Sequence, residues 1–171
     1  VTPAKELYLS DISPKRATAF AGPFYDKNEQ GESLLLDETT YEKGVWTHPM
    51  SNQEAESIYD ISNYDYTMFY AIAGKEQKYV NALPGSLTTF RVYVDGVLAD
   101  EVVDLVAGET YIFKVDIAGA SELKLATGVG SDDLTCDGSI WGDAKLRYET
   151  PAEPETPPVD TSKALYLSDA T

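Results

Sequence analysis

Apolar and polar residues alternate with a period of two along much of this chain, the pattern of strands with one buried face. Phe90, Val92 and Val94 share one side of a segment that Asp95-Gly96 then turns back into Val97–Val103. Tyr111, Phe113, Val115 and Ile117 alternate with Ile112, Lys114 and Asp116, and Gly119-Ala120-Ser121 leads into Glu122–Leu125. Further strands are expected near residues 7–10, 33–36, 57–61, 67–73 and 140–148. Tyr, Val, Thr and Phe dominate these runs, with Gly, Asp and Asn between them. No segment sustains a 3.6-residue period with helix caps. The pattern predicts an all-β fold, an antiparallel β-sandwich or jelly roll.

The strand Leu7-Tyr8-Leu9-Ser10-Asp11 returns letter for letter as Leu165-Tyr166-Leu167-Ser168-Asp169. Between the copies lie a domain-sized stretch and an acidic, Pro-rich tail. The spacing is too long for a solenoid unit and fits a whole domain. Residues 1–4 therefore read as the end of a linker, 5–149 as one complete module, 150–162 as a tether, and 163–171 as the first strand of a second module. Repeated modules on Pro, Thr and Glu tethers favour an extracellular, secreted or surface-attached protein that binds something, because repetition raises effective concentration. The module itself is expected to be monomeric.

Charge narrows the ligand. The formal net charge of −16 repels phosphate backbones and anionic lipid heads. Nucleic acid and membrane insertion are thereby disfavoured, and no apolar run approaches the ~18 residues needed to cross a bilayer. Neutral ligands, basic proteins and hard cations remain. The single cysteine, Cys136, excludes an intrachain disulfide.

The catalytic inventory is thin. His48 is the only histidine, and no serine elbow, P-loop or dinucleotide fingerprint appears. His48 lies in Gly44-Val45-Trp46-Thr47-His48-Pro49, which reads as a turn. An aromatic ring beside an imidazole suits a sugar: the ring packs on the C–H face while the nitrogen reads a hydroxyl. Trp46→Ala is then expected to weaken glycan retention without unfolding. The alternative is that Trp46 is a core ring. Trp141 follows the polar loop 128–138 and is a second stacking candidate, against a stronger case for burial at the start of a strand. Tyr79 in the loop 74–79, Glu76 and Asp132 complete the candidate rim. Asp133 and Asp137 in the 128–138 loop read equally well as solvated turn residues. Asp26, Asn28 and Asp37 have the spacing of an oxygen-donor loop and form a candidate calcium site, with an ion-free Asp/Asn/Gly loop as the alternative.

Taken in order, these segments resemble carbohydrate-binding module family 51, the novel putative carbohydrate-binding module. The likeness is carried by Tyr8–Asp11, then Tyr41, Lys43, Gly44, Val45, Thr47 and His48, then Tyr59-Asp60-Ile61. Gly85, Ser86, Phe90, Val92, Asp95 and Gly96 follow, with Val115–Ala120 and finally Trp141, Asp143, Ala144 and Leu146. The resemblance implies a galactose-binding-domain-like sandwich that is non-catalytic and appended to secreted bacterial glycoside hydrolases or surface proteins. It also implies galactose-type glycans as ligands and, in some members, a structural calcium. Two loops depart from the family pattern, at Gly74-Lys75-Glu76 and at Asp137-Gly138-Ser139-Ile140.

The leading expectation is thus a non-catalytic glycan-binding module beside a tandem neighbour in the same chain. A structural or adhesive spacer that binds a protein partner is the second reading. A small carbohydrate-active enzyme, which needs an acid and a nucleophile paired in one cleft, is the third.

Overall fold

The computed structural model describes residues 5–132 and 138–149. The expected tether, the second copy of the first strand, Asp133, Cys136 and Asp137 lie outside the described residues. Among these described residues, thirteen strands, a one-turn 3-10 helix (Leu9–Asp11) and one short α-helix follow in chain order: β1 (Glu6–Tyr8), β2 (Arg16–Thr18), β3 (Ala21–Tyr25), β4 (Leu34–Leu36), β5 (Thr39–Tyr41), β6 (Gly44–His48), β7 (Ala55–Asp60), β8 (Met68–Lys75), α1 (Gln77–Ala82), β9 (Leu87–Val94), β10 (Val97–Val106), β11 (Thr110–Asp116), β12 (Glu122–Val129) and β13 (Ser139–Arg147). One sheet has the order β11-β8-β13-β6-β3, with β1 on the far half of β13, and the other runs β10-β9-β12-β7-β2. All pairings within them are antiparallel. The expected β-sandwich is the observed fold.

The alternating positions meet between the sheets. Phe90 and Val92 from one layer and Phe113 and Val115 from the other belong to one buried core, with Tyr59, Phe69, Leu123, Leu125 and Trp141. Trp141 fixes its centre. Its ring stands edge-on to Phe90 at 5.3 Å and lies 5.2 Å from Phe113 and 6.4 Å from Phe69. Its indole N–H donates to Thr127 Oγ1 at 3.0 Å, so the one polar atom of the ring is satisfied inside the core.

The first sheet is covered on its outer face too. There Leu34, Leu36, Trp46 and Ile140 form a second, smaller cluster, with Tyr41, Ile72 and Tyr79 against it. The β4–β5 hairpin supplies its lid. That hairpin approaches so closely that a Cβ on Gly74 would meet Leu36 Cδ1 at 2.6 Å and one on Gly44 would meet Leu34 Cδ1 at 2.8 Å. Glycine at both sites lets the lid close. Because β6 is sandwiched between core and lid, all five of its residues are buried. Val45 faces the main core opposite Trp141, while Trp46 faces the lid opposite Ile140.

The segment around His48 is therefore a strand, not the expected turn. The expected loop at residues 74–79 is likewise the end of β8 and the start of α1, a six-residue helix.

Candidate functional site

Strand ends gather at one rim of the first sheet. β8 and β6 end there at Lys75 and His48, while β3 and β13 begin there at Ala21 and Ser139. Antiparallel register forces this convergence: Ser139 pairs with both Thr47 and Lys75, and Ala21 pairs with His48. Phe20, just before β3, is held by its backbone N–H on the His48 carbonyl at 2.9 Å. Its ring is 72% exposed, an unusual placement for phenylalanine, and lies 5.3 Å from the imidazole. Phe20, His48, Pro49, Met50 and Ser51 line a hollow of about 390 Å³.

His48 is buried on its sheet side, and its Nδ1 lies 2.8 Å from the Pro49 carbonyl oxygen. A carbonyl can only accept, so Nδ1 carries the proton. In the neutral ring Nε2 is then left as an acceptor, suited to a hydroxyl donor. Tyr79 meets the imidazole edge-on at 6.0 Å. Gly138 lies against that tyrosine so tightly that a Cβ would be 2.2 Å from its Cε2. The imidazole is thus braced between an exposed ring and a half-buried one.

Trp46 does not stack a ligand from this position. Its ring is fully buried, 6.3 Å behind His48, and its indole N–H donates to Glu76 Oε1 at 2.8 Å. Glu76, itself 3% exposed, accepts from Asn28 Nδ2 at 2.8 Å through its other oxygen. Two neutral donors thus satisfy a buried carboxylate. Glu76 and Trp46 support the rim from beneath. The sequence placed Glu76 among the sugar contacts, but its burial turns it into a bracket between β6, α1 and the 26–32 loop.

Trp141 is 1% exposed in the main core, which removes it from any surface site. Asp132 turns its Oδ2 to the Leu87 N–H at 2.8 Å, anchoring the start of β9. Of the six expected sugar contacts, His48 and Tyr79 lie at the rim with their rings in contact. Phe20, Met50 and Ser51 are rim residues that sequence reasoning missed.

Two of the expected calcium ligands, Asp26 and Asn28, are engaged by other partners. Asp26 Oδ2 takes Lys43 Nζ at 2.9 Å and its Oδ1 takes the Gly44 N–H at 3.1 Å. Asn28 Oδ1 accepts from the Gln30 and Glu32 amides at 3.0 and 2.8 Å. Asp37 is exposed, in the β4–β5 turn. The Lys43 side-chain ammonium already supplies the positive charge beside Asp26, and two backbone amides occupy the Asn28 oxygen, so this trio does not fit a metal. Among the described residues no group of three His, Cys, Asp or Glu side chains is placed to hold one.

Burial pushes the Asp26 carboxyl up, but hydrogen bonds from Lys43 and from the Gly44 amide outweigh it and hold the group below its ordinary range. Such a depressed carboxylate stabilises the fold above its unfolded pKa of about 3.9 and loses that contribution as pH falls through the folded value. The stability of the wild type against urea should fall below about pH 4, and Asp26→Asn should flatten that acid limb. Identical acid limbs in the two proteins would remove Asp26 as a contributor.

The sequence profile of the NPCBM/NEW2 domain matches residues 5–147. The chain belongs to that family, carbohydrate-binding module family 51. Among solved structures, the second family-51 module of Clostridium perfringens ZmpB, in complex with GlcNAc together with INT domains, is 30% identical with a TM-score of 0.73. That match covers 84% of this chain and 32% of the other, so this chain spans about a third of that fragment's length. The family-51 module of Clostridium perfringens GH95, in complex with methyl-galactose, is 28% identical with a TM-score of 0.73, over 82% of this chain and 99% of that one. Tandem family-51 modules of a Streptococcus pneumoniae family 98 glycoside hydrolase share the fold at 21% identity, with a TM-score of 0.70 over 85% of this chain and 47% of that one. No curated protein sequence matches the chain.

Proposed function

We propose that this module holds a neutral glycan at the Phe20–His48 rim and so tethers the protein it belongs to on carbohydrate, without catalysis. The observation that carries this reading is the hollow of about 390 Å³ in which an exposed phenylalanine ring stands beside a lone imidazole. Phe20 offers the flat apolar plate that a pyranose C–H face needs, and His48 Nε2 accepts a hydroxyl. Membership of a carbohydrate-binding family supports it, as do relatives crystallised with GlcNAc and methyl-galactose. A galactose-type sugar is the first ligand to test. An extracellular address, a monomeric module and a tandem neighbour after the 150–162 tether complete the proposal. Among the described residues no helix is long and apolar enough to cross a membrane.

Contact with one plate and a few hydroxyls gives weak single-site binding, with Kd about 10⁻⁵ to 10⁻³ M. A glycan array should show hits for the wild type, and Phe20→Ala should lower their affinity at least tenfold while circular dichroism stays native. Phe20 is exposed, so its loss leaves the core packing intact. Unchanged affinity in Phe20→Ala would move the site elsewhere, and an array without hits would remove the glycan reading altogether.

A further inference from the structure

The rim hollow does not end at Ser51. Met50 and Ser51 also line a second hollow of about 270 Å³, which reaches over the 50–54 turn to Glu54, Arg91 and Gly128. Gln53 is shared in turn with a third hollow of about 300 Å³ bounded by Arg16, Thr18 and Glu56. The three hollows are neighbours along the 49–54 turn, each sharing lining residues with the next, between the rim and the outer face of the second sheet.

Register aligns Thr18, Glu56, Arg91 and Glu101 across that face, with the small, buried Ala126 between Glu56 and Arg91. Thr18 pairs with Glu56, Glu56 with Ala126, Ala126 with Arg91, and Arg91 with Glu101. With strands about 4.8 Å apart, the row spans about 19 Å across five strands. The side chains along it are held in place. Arg91 donates to Glu54 at 2.9 Å and to Glu101 at 2.8 Å, and Lys124 pairs with Glu56 at 2.9 Å. Lys124 Nζ also sits 4.2 Å from the centre of the Tyr93 ring. Three acids face three cations here (Glu54, Glu56 and Glu101 against Arg16, Arg91 and Lys124), so the face has no strong local sign. The carboxylates of Glu54, Glu56 and Glu101 accept and the Arg91 and Lys124 head groups donate, the two functions that the hydroxyls of a neutral sugar can use. Anionic glycans are disfavoured by the chain's net charge of −16.

Gly128 lines the second hollow beside Glu54. A Cβ there would lie 3.2 Å from Glu54 Cγ and 3.6 Å from its Oε2, so a side chain at this position would displace Glu54 in the lining they share. The φ of Gly128 is not left-handed, so a side chain could be carried without backbone strain.

We propose that the module reads a neutral oligosaccharide of at least three residues, one sugar in the Phe20–His48 hollow and the next two laid over the 50–54 turn into the Arg91 and Arg16 hollows. The inference rests on the glycan reading of the rim and adds the ligand's length. Each further unit adds hydrogen bonds to groups already immobilised, so affinity rises with chain length.

Isothermal titration of the whole chain tests this with two series, galactose to galactotriose and N-acetylglucosamine to chitotriose. In at least one series the trisaccharide should bind ten times or more tighter than its monosaccharide. Gly128→Val, which displaces Glu54 in the lining of the second hollow with a good strand former, should return the trisaccharide to the monosaccharide's affinity and leave the monosaccharide unchanged. Gln53→Ala, on the exposed turn, should lose part of the same increment and serves if the valine variant does not fold. Equal affinities along both series, with the monosaccharide still binding, would overturn the extended track and spare the rim site. An increment that survives in both variants would overturn its placement. Absence of binding in both series would overturn the rim site and the track together.

Discussion

Trp46→Ala should destabilise the module by about 3–5 kcal/mol, the range for truncating a fully buried tryptophan. The ring fills the cluster between the first sheet and its hairpin lid, with Leu34, Leu36 and Ile140 around it. Its removal also leaves Glu76 Oε1 without the indole donor, stranding part of a carboxylate that is 3% exposed. Trp46→Phe separates the two effects. It keeps most of the packing yet still orphans the carboxylate, at about 1–3 kcal/mol. Urea unfolding followed by fluorescence of Trp141 reads both. A Trp46→Ala protein of wild-type stability would show that the lid cluster contributes nothing, and would restore the surface role the sequence suggested. Glycan retention lost in this variant reports unfolding rather than a lost contact, so only Phe20→Ala tests the plate cleanly.

Trp141→Ala should be at least as severe, about 3–5 kcal/mol, and roughly 10–20 °C in Tm for a domain of this size. Three phenylalanines surround the ring in the main core, so neighbours on both sheets would have to collapse to fill the void. Thr127 Oγ1 would lose its donor in the same step. Differential scanning calorimetry gives the shift directly. A drop of only a few degrees would mean that the core closes over the gap. No such penalty attends Phe20→Ala, and the contrast among three aromatic truncations maps the structural rings and the binding ring in one experiment.

How much of this was legible beforehand follows from burial. β11 alternates between core and solvent over its length, and β9 and β10 do so over part of theirs. β12 does so over Glu122–Leu125 before it is buried on both faces. This alternation stands out in the sequence and predicts the four positions to within a few residues. β6 is buried on both faces, and Gly44-Val45-Trp46-Thr47-His48 consequently has no period of two to detect. β2, β3 and β5 are three to five residues long, too short to carry a pattern. The helix α1 makes under two turns with no buried residue and no side-chain cap, which leaves no helical signature.

The site divides the same way. His48 was found because it is the only histidine. Phe20 was missed because a single phenylalanine after Ala19 looks like any half-buried strand residue until its exposure is known. Glu76 and Asn28 were assigned to two different ligands, sugar and metal. Only tertiary structure reveals that, 48 positions apart in sequence, they bind each other. Asp26 carries an oxygen donor at a turn, as a calcium loop requires, yet Lys43 from β5–β6 fills that place with its own charge.

The most direct test of the rim is a heteronuclear NMR titration of the ¹⁵N-labelled module with methyl galactoside and with N-acetylglucosamine. Saturable shifts of the Phe20, His48, Met50 and Ser51 amides are the expected outcome, with little change at the opposite rim, where β8 begins at Met68, β13 ends at Arg147 and the rings of Tyr64, Tyr66 and Tyr148 cluster. Shifts confined to that opposite rim, or none with either sugar at millimolar concentration, would contradict it.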